Sequence, residues 1–173
     1  GDNDRSDIKS ITGDYPAVMS FDLGRIELEQ QSNIDKTNFD KIRQEIIRQY
    51  NRGGMISVSW HINNPLTDGD AWDAKTPGAV NSVLPGGNNH SKFMKWLQSA
   101  AGFLKTLKTS NGTKIPIVFR PWHEHTGSWF WWGKGNCTAE EYKQLWIMTY
   151  RFMKNEGLNN LLFAYSPDIQ GPG

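Results

Sequence analysis

The sequence holds one cysteine, Cys137, among 173 residues. A lone thiol excludes an internal disulfide and a cysteine-based zinc site. Neither sign of charge dominates, since 19 Lys and Arg stand against 18 Asp and Glu for a net charge of +1. Without a basic field, a nucleic-acid or anionic-membrane partner has no electrostatic support, and a neutral substrate suits the balance. No apolar run approaches the ~18 residues that a membrane-crossing helix needs. The chain opens GDNDRSD, with no charged-then-apolar leader, so any leader is expected to be already gone. Neither a G-x-G-x-x-G after a strand, nor a G-x-S-x-G, nor an H-E-x-x-H, nor an internal repeat is present.

Tryptophan, by contrast, is abundant. Aromatics make up 12% of the chain and eight of them are Trp, within a globular composition of 37% hydrophobic and 21% charged residues. Core packing rarely calls for so many indoles, because the ring is large and its N–H wants a partner. A carbohydrate site does call for them, since a flat indole matches the apolar face of a pyranose. The densest stretch is RPWHEHTGSWFWWG, residues 120–133, with four Trp, His123, Glu124 and His125.

Strands and helices alternate along the chain. YPAVMSFDLG (15–24) reads as a strand. NFDKIRQEIIRQYNRGG follows as a helix with Ile42, Ile46, Ile47 and Tyr50 at helical spacing and Gly53-Gly54 as its stop. MISVSWHINNP (55–65) is the second strand. The stretch 66–90 is rich in Gly, Pro, Asn and Asp and is expected to carry no regular element, and loops this long are usually functional or disordered. SKFMKWLQSAAGFLKTLK (91–108) is an amphipathic helix, with Trp96 on its apolar stripe. His90, just before it, reads as a solvated or capping residue. KIPIVFRPWHEH (114–125) is the third strand. TAEEYKQLWIMTYRFMKNEG (138–157) is a helix with Thr138 as N-cap, Glu141 at the capping-box position, Trp146 on its core stripe and Gly157 as the stop. LNNLLFAYSPD (158–168) is the fourth strand.

The strands read as apolar on both faces, as in a parallel sheet covered by helices. Their C-terminal ends carry the chemistry: Asp22; then Trp60, His61, Asn63 and Asn64; then His123, Glu124 and His125; then Tyr165 and Asp168. Strand ends that point chemistry the same way predict an α/β (β/α)8 barrel. Such a barrel needs roughly 250 residues. Residues 1–173 are therefore expected to form one partial barrel domain, an interior segment of a larger barrel.

Glu124 is suited to general acid work. Indoles around it would desolvate the carboxyl and raise its pKa. Trp129, Trp131 and Trp132 follow in a loop where a sugar platform would be useful, and Trp72 in the 66–90 stretch is a candidate outer wall. The bland alternative is a surface glutamate with tryptophans packed inward. A metal site on His61, His123 and His125 competes, because residues two apart on a strand share a face. Arg120, after a buried run, is expected to find a structural partner rather than a substrate.

RPWHEHTGSWFWWG, with DYPAVMSFDLG and SVSWHINNP upstream and YSPD downstream, resembles glycoside hydrolase family 26, most of whose members are endo-β-1,4-mannanases. The resemblance implies a (β/α)8 barrel, of which this chain supplies roughly strands 2 to 5, and a retaining two-carboxylate mechanism without metal or organic cofactor. It implies that Glu124 is the acid/base and that His123 holds the catalytic carboxylates. It also implies that His61 and Trp129 contact sugar, with Trp60 and Asp168 in or near the cleft. The nucleophile it implies is a glutamate expected beyond residue 173. Asp168 and Asp22 are the candidates within the chain. Asp22 is expected instead to anchor its own loop, and Asp168 to cap the Ser-Pro corner. The implied substrate is β-mannan. A polysaccharide is too large to enter a cell, so a protein that is secreted, periplasmic or on the surface of a bacterium is expected, and a monomer is expected. Hydrolysis of β-glucan or xylan, or a non-catalytic carbohydrate-binding barrel, is the alternative.

Overall fold

The structure is a computed structural model and describes residues 6–169. A short helix, α1 (Asp7–Thr12), precedes strand β1 (Val18–Asp22). A 3-10 turn over Ile26–Leu28 leads to helix α2 (Phe39–Asn51), strand β2 (Met55–Ser59), helix α3 (Ala79–Val83) and helix α4 (His90–Lys105). Strand β3 (Ile117–Arg120), helix α5 (Ala139–Asn155) and strand β4 (Leu161–Phe163) complete the order.

The four strands form one parallel sheet in the order β1-β2-β3-β4. Each strand pairs with the next in sequence, and helices carry the chain between them. An order that never reverses is that of a barrel wall, whereas a doubly wound sheet turns back at a switch point. The predicted (β/α)8 segment is what the chain builds.

Strand alternation separates two faces. Ile56, Val58, Ile117, Phe119 and Leu161 are buried against the helices. The opposite face is not the apolar one that the sequence suggests. Register aligns Ser20 with Ser57 and Val118, and Asp22 with Ser59 and Arg120. The last of these rows, at the C-terminal ends, is polar and becomes the floor of the site.

The helices follow their stripes. In α2, Asn38 caps the first turn through Asp40 N at 2.8 Å, and Phe39, Ile42 and Ile46 are buried. Gln49 shares that face and donates from Nε2 to Pro16 O at 2.9 Å, which ties the helix to the start of β1. In α4, Phe93, Trp96, Leu97, Ala100, Phe103 and Leu104 are buried. Helix α5 starts with the capping box predicted from Thr138 and Glu141, and Gly157 follows its end with φ +77°.

Two expectations need correcting. The 66–90 stretch does carry a regular element, α3, because Ala79, Val80 and Val83 supply one buried turn beside α4 and α5. The strands are also shorter than expected, at both ends for β1, β3 and β4 and at the C-terminal end alone for β2, which starts at Met55 as expected. Pairing stops where the chain turns out into the loops that form the site.

Candidate active site

The chain leaves β3 through Arg120-Pro121-Trp122-His123-Glu124. Trp122 and Glu124 are left-handed, with φ +51° and +55°. Each costs on the order of 1–2 kcal/mol for a residue with a Cβ, so the surroundings must hold them. Glu124 N donates to Ser166 O at 2.7 Å, just past β4. Trp122 is fully buried, gives its indole N–H to Thr149 Oγ1 at 3.1 Å, and accepts from Tyr142 O–H at 2.6 Å. The left-handed turns end the strand's alternation and send Trp122 into the core, His123 into the site and Glu124 toward solvent.

The Glu124 side chain is 34% exposed. Its Oε2 accepts from Trp129 Nε1 at 3.1 Å, and Arg120 Nη2 lies 3.6 Å from Oε1. Arg120 also donates from Nε to Ser166 Oγ at 2.8 Å, so it has the structural partners expected of it. Gly127 makes room for this arrangement. A Cβ there would sit 2.1 Å from the Trp129 ring.

His123 is buried, and its Nε2 lies 3.1 Å from His61 Nε2. Its carbonyl accepts from Trp132 Nε1 at 2.9 Å. Burial, with the charges of His61 and Arg120, pushes its pKa down to about 4, so the ring is neutral near neutrality. His61 in turn places Nδ1 2.7 Å from Asp22 Oδ2. Burial pushes the Asp22 carboxyl up, but the hydrogen bond and charge of His61, the N–H of Gly24 and the hydroxyl of Ser59 outweigh it and leave the group below its ordinary value. Asp22 thus does more than anchor its own loop: it joins β1 to β2.

The tryptophans divide differently from the expectation. Trp122, Trp131 and Trp132 are fully buried, and the indoles of the last two donate to Ile62 O and His123 O. They do not enclose the Glu124 carboxylate or offer a face to sugar. Trp129, 37% exposed, is the surface indole of this stretch. Trp72, 49% exposed, joins it from the long loop and stacks on His61 with centroids 5.1 Å apart. Phe130 fills the space behind, stacked on Trp132 at 4.5 Å.

Trp60 also needs correcting. It is fully buried and cannot touch a substrate, and its N–H donates to Glu27 Oε2 at 2.9 Å. Glu27 was not anticipated. It lies in the 3-10 turn, accepts from Asn63 N at 2.8 Å as well, and has its pKa pushed up by burial. No spacing in GRIELEQ marks it, because its partners come from the end of β2.

His123 and His125 do not share a face, because β3 ends before either. The His125 ring stacks on Tyr142 at 4.5 Å, and its Nε2 meets Tyr165 O–H at 2.9 Å. The metal set of His61, His123 and His125 is therefore split. Among the described residues, no group of three His, Cys, Asp or Glu is placed to hold an ion. Asp168 lies beside the Glu124 turn, with its N–H donating to Thr126 Oγ1 at 3.0 Å and its carbonyl accepting from that hydroxyl at 3.1 Å. His90 caps the end of α3, where Nδ1 meets Val83 O at 2.8 Å.

Open space surrounds His61. One cavity of about 310 Å³ is lined by Arg25, Asp35, Asn63, Asp70 and Trp72 beside His61. Another of about 320 Å³ reaches Ser20, Asp22 and Ser59 on the barrel face. A larger apolar groove of about 700 Å³ lies against α5, with His125, Trp146 and Tyr165 in its walls.

The match to known proteins follows this geometry. The chain is 38% identical over 168 residues to the mannan endo-1,4-beta-mannosidase of Bifidobacterium adolescentis, which covers 94% of this chain and 17% of that protein. It is 34% identical over 170 residues to a mannan endo-1,4-beta-mannosidase of Bacillus subtilis, which covers 93% of this chain and 46% of that one. Among solved structures, the GH26 beta-mannanase of Bacteroides ovatus superposes with a TM-score of 0.95 at 57% identity, over 96% of this chain and 48% of that one. The chain thus spans less than half the length of these relatives. Residues 2–172 match glycosyl hydrolase family 26 over nearly the whole sequence, and the chain belongs to that family.

Proposed function

We propose that the protein is a retaining endo-β-1,4-mannanase acting on mannans such as glucomannan and galactomannan, with Glu124 as acid/base. The observation that carries this reading is Glu124 itself. It is half-way into solvent at the end of β3, on backbone held by Ser166, with its carboxylate oriented by Trp129 and Arg120. The names of the relatives support β-mannan as substrate.

In the proposed cycle Glu124 protonates the departing glycosidic oxygen while a second carboxylate attacks the anomeric carbon. The covalent glycosyl-enzyme is then opened by water, which Glu124 deprotonates. Asp22 is not that second carboxylate, because its oxygens are committed to Gly24, Ser59 and His61. The family resemblance supports a glutamate beyond residue 173 in that role. Trp129 and Trp72 offer indole faces to sugar rings beside His61. A polymeric substrate supports export or display at the surface of a bacterial cell.

The test is Glu124→Ala in the full chain, assayed on mannan and on an aryl β-mannoside whose leaving group needs no proton. Loss of acid catalysis should cost roughly 10²–10⁴-fold on mannan. It should cost far less on the activated substrate, with azide restoring turnover. A wild-type rate on mannan would refute the assignment, and binding of manno-oligosaccharides without hydrolysis by the unmutated chain would favour a binding barrel.

A further inference from the structure

Two identical ring nitrogens face each other at 3.1 Å, His61 Nε2 and His123 Nε2. One must carry a proton and the other must not. Which one is decided at the far side of His61. Its Nδ1 lies 2.7 Å from Asp22 Oδ2, which also accepts from Ser59 Oγ at 2.8 Å. Asp22 Oδ1 takes the N–H of Gly24 at 2.7 Å and faces the N–H of His61 at 3.4 Å. A carboxylate surrounded by donors is an ionised acceptor and has no proton to give. His61 therefore carries its proton on Nδ1.

The remaining choice concerns the proton between the rings. If it belongs to His123 Nε2, the Nδ1 of His123 is bare. If it belongs to His61, that ring is a cation and His123 carries its own proton on Nδ1. His123 Nδ1 is buried and makes no hydrogen bond. The Arg120 carbonyl is the nearby backbone acceptor and pulls weakly toward a protonated ring, but burial and the Arg120 charge outweigh it, and by distance and angle it is not a hydrogen-bond partner of that atom. A bare buried nitrogen is tolerated better than a buried N–H with nothing to accept it. The first arrangement is the one the surroundings accommodate.

We propose that Asp22 is a positioning residue that sets the tautomers of both rings, His61 protonated at Nδ1 and His123 at Nε2, and so holds the residue on which Glu124 is mounted. His123 is fixed at the ring by His61 and at its carbonyl by Trp132. Glu124 follows it on a left-handed backbone with little freedom to compensate if the ring moves. The catalytic consequence rests on the glycosidase reading above; the tautomers do not.

The experiment uses the full chain with ¹⁵N-labelled histidine. Long-range ¹H–¹⁵N spectra near neutral pH separate protonated from bare ring nitrogens. The unmutated protein is expected to show His61 protonated at Nδ1 and His123 at Nε2. In Asp22→Asn the amide oxygen keeps the Gly24 N–H, which turns the NH₂ toward His61 Nδ1. That nitrogen must then accept, the His61 proton moves to Nε2, and His123 must carry its own on Nδ1. Both tautomers should swap, and kcat on mannan should fall roughly a hundredfold with a smaller change in KM, as expected when a catalytic group is slightly misplaced.

A wild-type spectrum with His61 protonated at Nε2 overturns the proposal and needs no variant to fold. So does an Asp22→Asn spectrum without the swap, or a swap that leaves kcat unchanged. A wild-type chain inactive on every β-glycan would instead sink the glycosidase reading, while the same spectra would still decide the tautomers.

Discussion

Replacing Thr149 with Val leaves a full-sized indole without a hydrogen-bond partner, and the structure sets the cost. Thr149 is fully buried in α5 and accepts from Trp122 Nε1 at 3.1 Å while donating to Leu145 O at 2.8 Å. Trp122 cannot swing to water. Its ring is boxed in by Trp60, Phe93, Trp131 and Trp132 at centroid distances of 6.2, 5.9, 5.6 and 5.5 Å. Valine keeps the shape, so no cavity enters the comparison. An orphaned buried donor costs about 1–3 kcal/mol. The added methyl returns up to about 0.8 kcal/mol. At the middle of that range the net loss is about 1 kcal/mol, or roughly 2–4 °C in Tm for a domain of this size. Urea and thermal unfolding of the full chain measure it. Thr149→Ser, which keeps the hydroxyl, should lose less of the hydrogen-bond contribution. In a Trp122→Phe background the Thr149→Val loss should largely vanish, because there is no N–H left to orphan. If Thr149→Val is as stable as wild type while Trp122 stays buried, the account of how this turn is held is wrong.

Stability should also depend on pH through His123. Its folded pKa of about 4 lies below the ordinary 6.5, so the fold favours the neutral ring. That contribution is fully present above pH 6.5 and is lost as pH falls through about 4, for a total of about 2–4 kcal/mol. His125, also lowered by burial, adds in the same direction, whereas Asp22 loses its contribution only at more acid pH, below its ordinary 3.8. Urea midpoints between pH 7 and 4 should fall steadily, and a flat profile would contradict the buried neutral ring. Gly127→Ala tests the seat of Trp129, since the new Cβ would overlap the indole. The Trp129–Glu124 hydrogen bond should break and, under the proposed function, turnover of mannan should drop severalfold at nearly unchanged Tm; unaltered kinetics would show that this bond does not orient the carboxylate.

Much of the molecule was legible in local pattern. The stripes of α2, α4 and α5 are spaced at the helical period, and Thr138 with Glu141 three residues later states its own cap. The parallel order of the sheet followed from strands that alternate with helices. Glu124 could be placed at the C-terminal end of a strand from the polar residues that interrupt an apolar run. The face of the sheet that carries Ser20, Ser57 and Ser59 was misread, because a short strand containing only a few polar residues still looks apolar in sequence.

What the sequence determined by itself is therefore the barrel wall, its helices and the end of it that bears the chemistry, all of which depend on periodicity between near neighbours. Tertiary structure alone decided which way each residue of 120–133 points. Left-handed backbone at Trp122 and Glu124 reverses the strand's alternation, and each indole turns to whichever acceptor lies close: Thr149, Ile62, the His123 carbonyl or Glu124. The same holds for the chain from Asp22 to His61 to His123, whose members lie 39 and 62 residues apart. A hydrogen bond needs its two atoms about 3 Å apart, and no spacing along the sequence can show that distance until the sheet has brought the strand ends together.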